Sequence, residues 1–559
     1  MRTLLRTLGT AALLAALASP AFASATINII NLDGAGEGFN DATPAAPVGG
    51  NPGTTIGQQR LNCFTHAAAI WAGILTSAVP INIQAQFNPL TCNATSAVLG
   101  AAGPITVTAN DPSFEFQGYW YHQALANKEK GSDTDPADND INAQFNSNLG
   151  QTGCLTGSGW YYGFDHNEGA LIDLLDVLLH EFGHGLGFST TTSGSTGQFL
   201  NGPPALPAVW DKFIFDETAL LHWDQMTNTQ RVNSAINTNH LVWDGAEVNS
   251  AGPAFLSHAP EVAVPYAPGT VDANASSFGP ALTLGGTAGQ AVVVNDGVGT
   301  TSDACEAIPG SLAGQIAVID RGTCTFVIKV KNAQNAGAIG AIIVNNTTGT
   351  FAPGGSDPTI TIPSVGITQA DGSTLKTAIG AGTVNVTLRL SPTKQAGLSA
   401  GGHVLLYAPN PFQGGSSVSH WDVSATPNLL MEPAINPDLT DSVDLTANLF
   451  ADIGWLPRNA DVPAGGPSAR VALASNPNPG HGGANLHFDL AGDETLALTL
   501  YDLTGREVRS LARGAFVAGP HDVAWDGLDN AGHPSAPGIY MARLKGSHTL
   551  ATHHLVLVN

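Results

Sequence analysis

The chain has 559 residues, only 11% of them charged, and its formal net charge is −24 at pH 7. Such an acidic surface repels phosphate backbones and disfavours nucleic acid as a partner. The length allows about three or four domains.

The first residues have the pattern of an export signal. Arg2 precedes an apolar run over residues 8–18, and Ala21-Phe22-Ala23 supplies small residues for cleavage. The apolar run is about half the ~20 residues that a membrane-spanning helix needs, and no later segment is long and apolar enough. We therefore predict a bacterial signal peptide at 1–23 and a protein that is secreted or lies at the cell surface.

The chain has five cysteines, a number that favours disulfides in an exported protein. Cys305 and Cys324 are expected to pair inside a later domain. Cys63, Cys92 and Cys154 then leave one bridge and one free thiol, and the sequence does not decide which cysteine stays free.

The N-terminal part, residues 24–263, combines strand and helix patterns. Residues 26–32 are strand-like, and apolar residues from Leu61 to Leu75 mark one helix face. Alternation over 79–87 and the segment 140–145 predict further strands. This order predicts an α/β or α+β layer.

A dense apolar run at 171–179 predicts a buried helix that ends where glycines cluster, near residues 183–187. His180 and His184 lie one helical turn apart, so both imidazoles can face one zinc ion. Glu181 lies between them, where a carboxylate can act as the general base toward water.

A catalytic zinc site usually has three protein ligands, so one more is needed. Thr190, six residues after His184, is a poor zinc ligand, which leaves a residue farther along the chain. The candidates are His420 and, if the enzyme is a gluzincin-type peptidase, Glu217. The remaining histidines that we considered are expected to be surface or core residues: His66, His166, His222, His240, His258 and His403.

The segment Ser419-His420-Trp421-Asp422, followed by Leu429-Leu430-Met431-Glu432-Pro433, resembles the leishmanolysin-like metzincins, as does His-Gly-Leu-Gly-Phe at 184–188. The resemblance extends over residues 26–455 with one long interruption. It implies an α+β metzincin-type fold with its second part at 393–457. It also implies a zinc endopeptidase with one catalytic ion, His420 as third ligand, and Met431 in a tight turn beneath the metal.

The interruption at 264–392 is rich in Gly, Ala, Val and Ile. Residues 316–326 and 332–338 resemble the protease-associated (PA) domain, which implies an inserted α/β domain. After a Pro/Gly linker at 458–467, residues 468–559 resemble the immunoglobulin-like modules of flagellar hook-cap and type IX sorting proteins. This resemblance implies a β-sandwich that serves sorting or attachment, with secretion or cell-surface machinery as its partner.

Three further interpretations stay open. Residues 159–162 are either the edge strand that pairs with substrate or a buried aromatic strand. Asp133, Asp135, Asp138 and Asp140 are either a calcium site or a solvated loop. The whole protein is either a peptidase that acts on proteins or peptides, or a non-catalytic adhesin or binding protein. The presence of Glu181 favours the enzyme, because a site that only binds has no need of it.

Overall fold

The computed structural model describes residues 24–200, 202, 204–436 and 438–456, and residues 474–558 with gaps at 477–479, 482, 491–493, 503–506, 518, 537 and 547–549. The expected signal peptide at 1–23 and the linker at 458–467 lie outside the described residues. The chain divides into two compact units, residues 1–458 and 459–559.

Among the described residues, the α-helices all belong to the first unit. They are α1 Ile56–Ile74, α2 Gln123–Lys130, α3 Leu174–Leu186, α4 Asn228–Ser234, α5 Ala246–Phe255, α6 Phe326–Asn335, α7 Gln369–Ala381 and α8 Thr446–Ile453. In the described part of the chain, no helix combines the length and the apolar character that crossing a bilayer requires.

The strands of the first unit form two separate sets. The strands outside the inserted region are β1 Ile27–Asn31, β2 Ile81–Asn88, β3 Gly100–Pro104, β4 Val107–Ala109, β5 Trp120–His122, β6 Ile141–Asn146, β7 Trp160–Tyr161, β8 Ile172–Asp173, β9 Ile214–Asp216, β10 Leu221–His222, β11 Leu241–Trp243 and, after the insertion, β20 Val404–Leu405. The other set forms the sheet of the inserted region, and its first and last strands extend beyond the expected bounds of 264–392. These strands are β12 His258–Ala263, β13 Thr270–Asp272, β14 Asn274–Ala275, β15 Thr287–Val293, β16 Gln315–Asp320, β17 Gly340–Val344, β18 Ser364–Ile367 and β19 Asn385–Gln395.

A four-stranded sheet in the order β1-β2-β6-β3 carries the first unit's main core. Strands β1, β2 and β6 run parallel, and β3 is an antiparallel edge strand. Alternate side chains of β2 are buried, as its period-two apolar pattern predicts. Thr55 caps the start of helix α1, because its hydroxyl accepts from the Gln58 N–H. The predicted mixture of helices and strands is therefore confirmed.

The inserted region folds around an eight-stranded sheet in the order β13-β12-β19-β15-β16-β17-β18-β14. Strands β15 to β18 are parallel neighbours, and helices α6 and α7 pack against this sheet. The first strand, β12, pairs antiparallel with the last, β19, with His258 opposite Gln395. The chain therefore leaves and re-enters the rest of the first unit at neighbouring points.

The second unit contains two sheets whose strands pair mostly antiparallel, and buried residues from both sheets form a shared core. One sheet has the order β21-β23-β26 and the other the order β22-β28-β27-β24-β25. Its strands are β21 Ala474–Asn476, β22 Gly480–His481, β23 Ala484–Leu490, β24 Glu494–Asp502, β25 Glu507–Phe516, β26 Gly519–Trp525, β27 Gly538–Gly546 and β28 Leu550–Val558. The predicted two-layer β architecture is present.

Candidate metal centre

Helix α3 carries the first two histidines of the site. Its start is fixed by Asp173, whose Oδ1 accepts from the Leu175 N–H at 2.8 Å. It ends at Gly187, which has φ 131°, a conformation that favours glycine. The helix is buried almost throughout, so the predicted buried helix and its glycine stop are confirmed.

The structure brings His420 to His180 and His184, although His420 lies 236 residues after His184 along the chain. The Nε2 atom of His184 is 3.1 Å from Nε2 of His180 and 3.2 Å from Nε2 of His420. The ligand atoms of all three residues lie within 4.8 Å of one another. Three nitrogens from two distant segments therefore converge on one point.

The other ring nitrogen of each histidine fixes its tautomer. Nδ1 of His180 donates to the Leu430 carbonyl at 2.8 Å, and Nδ1 of His184 donates to the Phe188 carbonyl at 2.8 Å. Nδ1 of His420 donates to the backbone carbonyl of Ser416 at 2.7 Å. Because a neutral imidazole carries one N–H, each Nε2 presents a lone pair to the common point.

Burial keeps these rings neutral. It lowers the pKa of His180 to about 4 and the pKa of His420 to about 3, where proximity to His180 adds to the effect. The pKa of His184 falls well below its usual value for the same reason, reinforced by its two neighbouring imidazoles. Neutral imidazole is the form that binds metal ions.

The three nitrogens fit zinc. Two ligands each about 2.0–2.1 Å from a tetrahedral zinc ion lie ~3.3–3.4 Å apart, close to the 3.1 and 3.2 Å separations. Three lone pairs that face one another without a shared proton repel unless a cation lies between them. The donor set is also the one that zinc accepts at catalytic sites, with one coordination position left open.

Met431 lies directly beneath α3. It is fully buried, and a Cβ atom built on Gly183 would lie only 2.7 Å from its Sδ. The carbonyl of the preceding Leu430 is the acceptor that orients His180. Only glycine at position 183 lets Met431 approach this closely, so the turn supports the helix face that holds the histidines.

Glu181 lies beside the edge strand β3. It is 9% exposed, and a Cβ at Gly100 would come within 3.1 Å of its Cγ. Burial raises the pKa of Glu181 to about 8, and a hydrogen bond with the backbone of Ala102 opposes this shift. A nearby cation would lower this pKa again and restore the carboxylate at neutral pH.

The converging histidines lie in a cleft of about 1190 Å³. Its walls include residues 97–102, which contain the start of β3, and residues 414–417 and 433–436. Residues 159–162 do not line it. Trp160 and Tyr161 are buried in β7 and pair with β8, so the substrate-edge interpretation of this segment is wrong and the buried aromatic strand is correct.

Glu217 lies elsewhere. Its Oε1 accepts from Ser399 Oγ at 2.7 Å and lies 3.0 Å from His403 Nδ1, and among the described residues it is not part of the ligand group that contains His180. The gluzincin-type alternative therefore has no geometric support. Thr190 donates its hydroxyl to Asp211 at 2.5 Å.

The four aspartates at 133–140 do not form a group of close ligand atoms among the described residues. Asp140 turns inward and accepts from the Asn82 N–H at 2.7 Å and from Asn127 Nδ2 at 2.7 Å. Burial raises its pKa to about 6. The contacts of Asp140 favour neither a calcium site nor a fully solvated loop, because its carboxylate bonds the protein itself.

The structure contains two disulfides. Cys305 is bonded to Cys324, and Cys92 is bonded to Cys154, while Cys63 remains a buried thiol. Its Sγ donates to the Tyr162 carbonyl at 3.3 Å. The pairing that the sequence left open is therefore between Cys92 and Cys154.

Two family models match parts of the chain. The PA domain matches residues 287–375, and the FlgD Ig-like domain matches residues 475–549. The chain is a multidomain protein with a PA domain and an Ig-like domain. Neither range includes α3 or His420, so both matches lie outside the metal centre.

Curated relatives match over short segments. The minor extracellular protease Vpr of Bacillus subtilis is 36% identical over 86 residues, which are 15% of this chain and 10% of that protease. Leucine aminopeptidase 2 of Arthroderma otae is 42% identical over 84 residues, 15% of this chain and 17% of that enzyme. The chain thus spans less than a fifth of the length of these relatives.

Similarities to solved structures are also partial. An aminopeptidase from Aneurinibacillus sp. strain AM-1 is 20% identical with a TM-score of 0.21, covering 33% of this chain and 41% of that one. FlgD from P. aeruginosa is 26% identical with a TM-score of 0.11, covering 13% of this chain and 55% of that one. With TM-scores this low, neither fold nor function of the metal centre follows from them.

Proposed function

We propose that the protein is a secreted zinc endopeptidase, with His180, His184 and His420 as the metal ligands and Glu181 as the general base. The observation that carries the proposal is the convergence of three neutral imidazoles, each with its Nδ1 proton held by a backbone carbonyl. A leishmanolysin-like metzincin subtype is part of the proposal, supported by Met431 beneath α3.

His180, His184 and His420 would hold the zinc ion, which would supply Lewis-acid chemistry when bound. Glu181 would accept the proton of the attacking water and pass it to the leaving amine, a role that its position beside His180 and His184 permits. The carbonyls of Leu430, Phe188 and Ser416 keep the three rings oriented. Glu181 is only 9% exposed, which limits the access of bulk solvent to its carboxylate.

Strand β3 is the element that we expect to bind substrate. It is the edge of its sheet, and its start at residues 100–102 lines the cleft beside Glu181. An extended peptide that adds to this edge would run past the metal ligands on both sides of the reacting bond. This geometry favours cleavage within a chain over release of a terminal residue.

The remaining parts have subsidiary proposed roles. We assign the peptidase domain to residues 24–263 and 393–457, the PA insert to 264–392, and the Ig-like domain to 468–559. Export by the segment 1–23 is supported by the two disulfides, which persist in oxidising compartments. The Ig-like domain would serve attachment or sorting.

The decisive experiment uses Glu181→Gln, which keeps the side chain's shape and removes its charge. Zinc content should be unchanged, whereas hydrolysis of an internally quenched peptide with a blocked N-terminus should fall about 10²–10⁴-fold, the contribution typical of a general base. Glu217→Gln is the matched control, because it makes the same change away from the cleft, and it should keep wild-type activity.

Three results would contradict the proposal. Near-wild-type turnover in zinc-loaded Glu181→Gln would rule out this base. A zinc-loaded wild-type protein that hydrolyses neither casein nor the blocked peptide would instead indicate a binding protein, and activity only on aminoacyl substrates with a free N-terminus would indicate an aminopeptidase.

A further inference from the structure

A second group of close ligand atoms lies at the start of α3. Nδ1 of His166 is 3.4 Å from Oδ2 of Asp173 and 3.3 Å from Oδ1 of Asp176. The three atoms lie within 4.8 Å of one another. Asp173 and Asp176 are three residues apart, so their side chains share one face of the first helical turn.

The two carboxylates are buried and incompletely satisfied. Asp173 is 2% exposed and Asp176 is 4% exposed. Among the described residues, Asp173 Oδ2, Asp176 Oδ1 and His166 Nδ1 are buried atoms with no partner at hydrogen-bonding geometry. Asp173 Oδ1 is already engaged by the Leu175 N–H, which leaves Oδ2 as the free oxygen. A buried carboxylate oxygen without a partner is costly, so something must compensate it.

The spacing of the three atoms is that of ligands around one ion. The separations of 3.3 and 3.4 Å match the 3.1 and 3.2 Å between the nitrogens of the histidine centre. They exceed the usual 2.7–3.2 Å of an N–H···O hydrogen bond. They agree with the ~3.3–3.4 Å expected for two ligands at about 2.0–2.1 Å from a tetrahedral ion.

The outer nitrogen of the His166 ring supports the same interpretation. Nε2 of His166 lies 3.3 Å from Oδ1 of Asp441, a half-exposed carboxylate that can accept its proton. The lone pair is then on Nδ1 and faces Asp173 and Asp176. A carboxylate behind the imidazole is the arrangement that orients histidine ligands in metal sites.

We propose that His166, Asp173 and Asp176 bind a second divalent cation, distinct from the ion of the histidine centre. One imidazole nitrogen and two carboxylate oxygens suit zinc or a similar first-row cation, whereas calcium prefers an all-oxygen shell. The positive end of the helix dipole opposes a cation here, but two buried negative charges outweigh it.

The ion would connect the loop that contains His166 to the first turn of α3. Asp176 and His180 lie one turn apart on this helix, and both line the cleft. A cation at this position would therefore fix the helix end nearest the cleft wall without contacting the histidine centre's ligands.

Without a cation, the same residues would form a cluster of ion pairs around His166. His166 would then be a protonated imidazolium among three carboxylates, and hydrogen bonding to Asp173, Asp176 and Asp441 would raise its pKa to about 12. The two arrangements differ in metal content, which can be counted directly.

The test is zinc stoichiometry by mass spectrometry of full-length protein that was loaded with zinc alone and dialysed against a weak chelator. We expect two equivalents in the wild type, one in His420→Ala and one in Asp176→Asn. His166→Gln should also bind one equivalent, which guards against a folding defect specific to Asp176→Asn. Near-ultraviolet circular dichroism confirms that each variant is folded.

The outcomes separate this site from the histidine centre. If the wild type binds one equivalent of zinc and His420→Ala binds none, the second site is wrong and His166 forms ion pairs with the carboxylates instead. Two equivalents retained in both Asp176→Asn and His166→Gln would also overturn it. If only the histidine centre is misassigned, His420→Ala would leave zinc content unchanged, while Asp176→Asn would still lose its equivalent.

Discussion

The contact between α3 and the turn at Met431 predicts a strong energetic coupling between Gly183 and Met431. A Cβ at position 183 would lie 2.7 Å from Met431 Sδ and 3.1 Å from its Cε. Ordinary van der Waals contact begins near 3.4 Å, so Met431 Sδ would have to move by about 0.7 Å to reach it. Met431 is fully buried and has little room to do so.

Two terms of opposite sign set the effect of Gly183→Ala. Overpacking costs about 1–3 kcal/mol, while alanine gains about 1 kcal/mol over glycine in a helix interior. Net destabilisation should therefore be about 0–2 kcal/mol. In a Met431→Ala background the clash is gone, so Gly183→Ala should stabilise by up to about 1 kcal/mol. The coupling energy is then about 1–3 kcal/mol.

The assay is a double-mutant cycle on metal-free protein, with unfolding free energies from urea denaturation of the four variants. Metal-free conditions separate packing from zinc binding. Met431→Ala alone should cost about 2–5 kcal/mol, because it leaves a cavity in a closed core. If Gly183→Ala changes the unfolding free energy equally in the wild-type and Met431→Ala backgrounds, the Met431 side chain does not restrict position 183, and the predicted coupling is refuted.

Two further predictions follow from single residues. His420→Ala should lower zinc affinity at the histidine centre by orders of magnitude, whereas Glu217→Ala should leave metal content unchanged. Competition with a chromophoric chelator measures both variants, and equal affinities would contradict the ligand assignment. Cys63 should resist iodoacetamide at pH 8 in native protein and react fully in denaturant, because it is inaccessible and burial raises the pKa of its thiol. Mass spectrometry measures the alkylation. Rapid alkylation of the native protein would show that the core around Cys63 opens to solvent.

Strong local patterns made much of the site predictable. The period-two alternation of β2 and the glycine that ends α3 are local patterns, and both elements form where expected. Strand β3 was missed because Gly-Ala-Ala-Gly-Pro has neither β-branched residues nor alternation, and it forms only because β6 offers it an edge.

The group at His166 was also missed, although the sequence contains a signal for it. Asp173 and Asp176 have the i, i+3 spacing of residues on one helix face, but acidic residues are common in a first turn for reasons of the helix dipole alone. His166 lies in a loop, and nothing in the sequence places its ring over that turn. The tertiary fold brings His166 to the two aspartates, and no local sequence pattern indicates this contact.

The position of His420 depends on a series of backbone pairings that the long insertion does not interrupt. Because β12 and β19 are neighbours, the chain returns beside its point of departure. Strand β20 then pairs with β11, which aligns the following segment with the first part of the unit.

From there, two backbone hydrogen bonds fix the histidine. The Tyr407 N–H donates to the His420 carbonyl at 2.9 Å, and the Trp421 N–H donates to the Met431 carbonyl at 2.9 Å. The same short segment therefore positions the candidate third ligand and the turn beneath α3. A domain inserted between neighbouring strands adds chain length without moving either, because the geometry at its two ends is set by pairing and not by what lies between them.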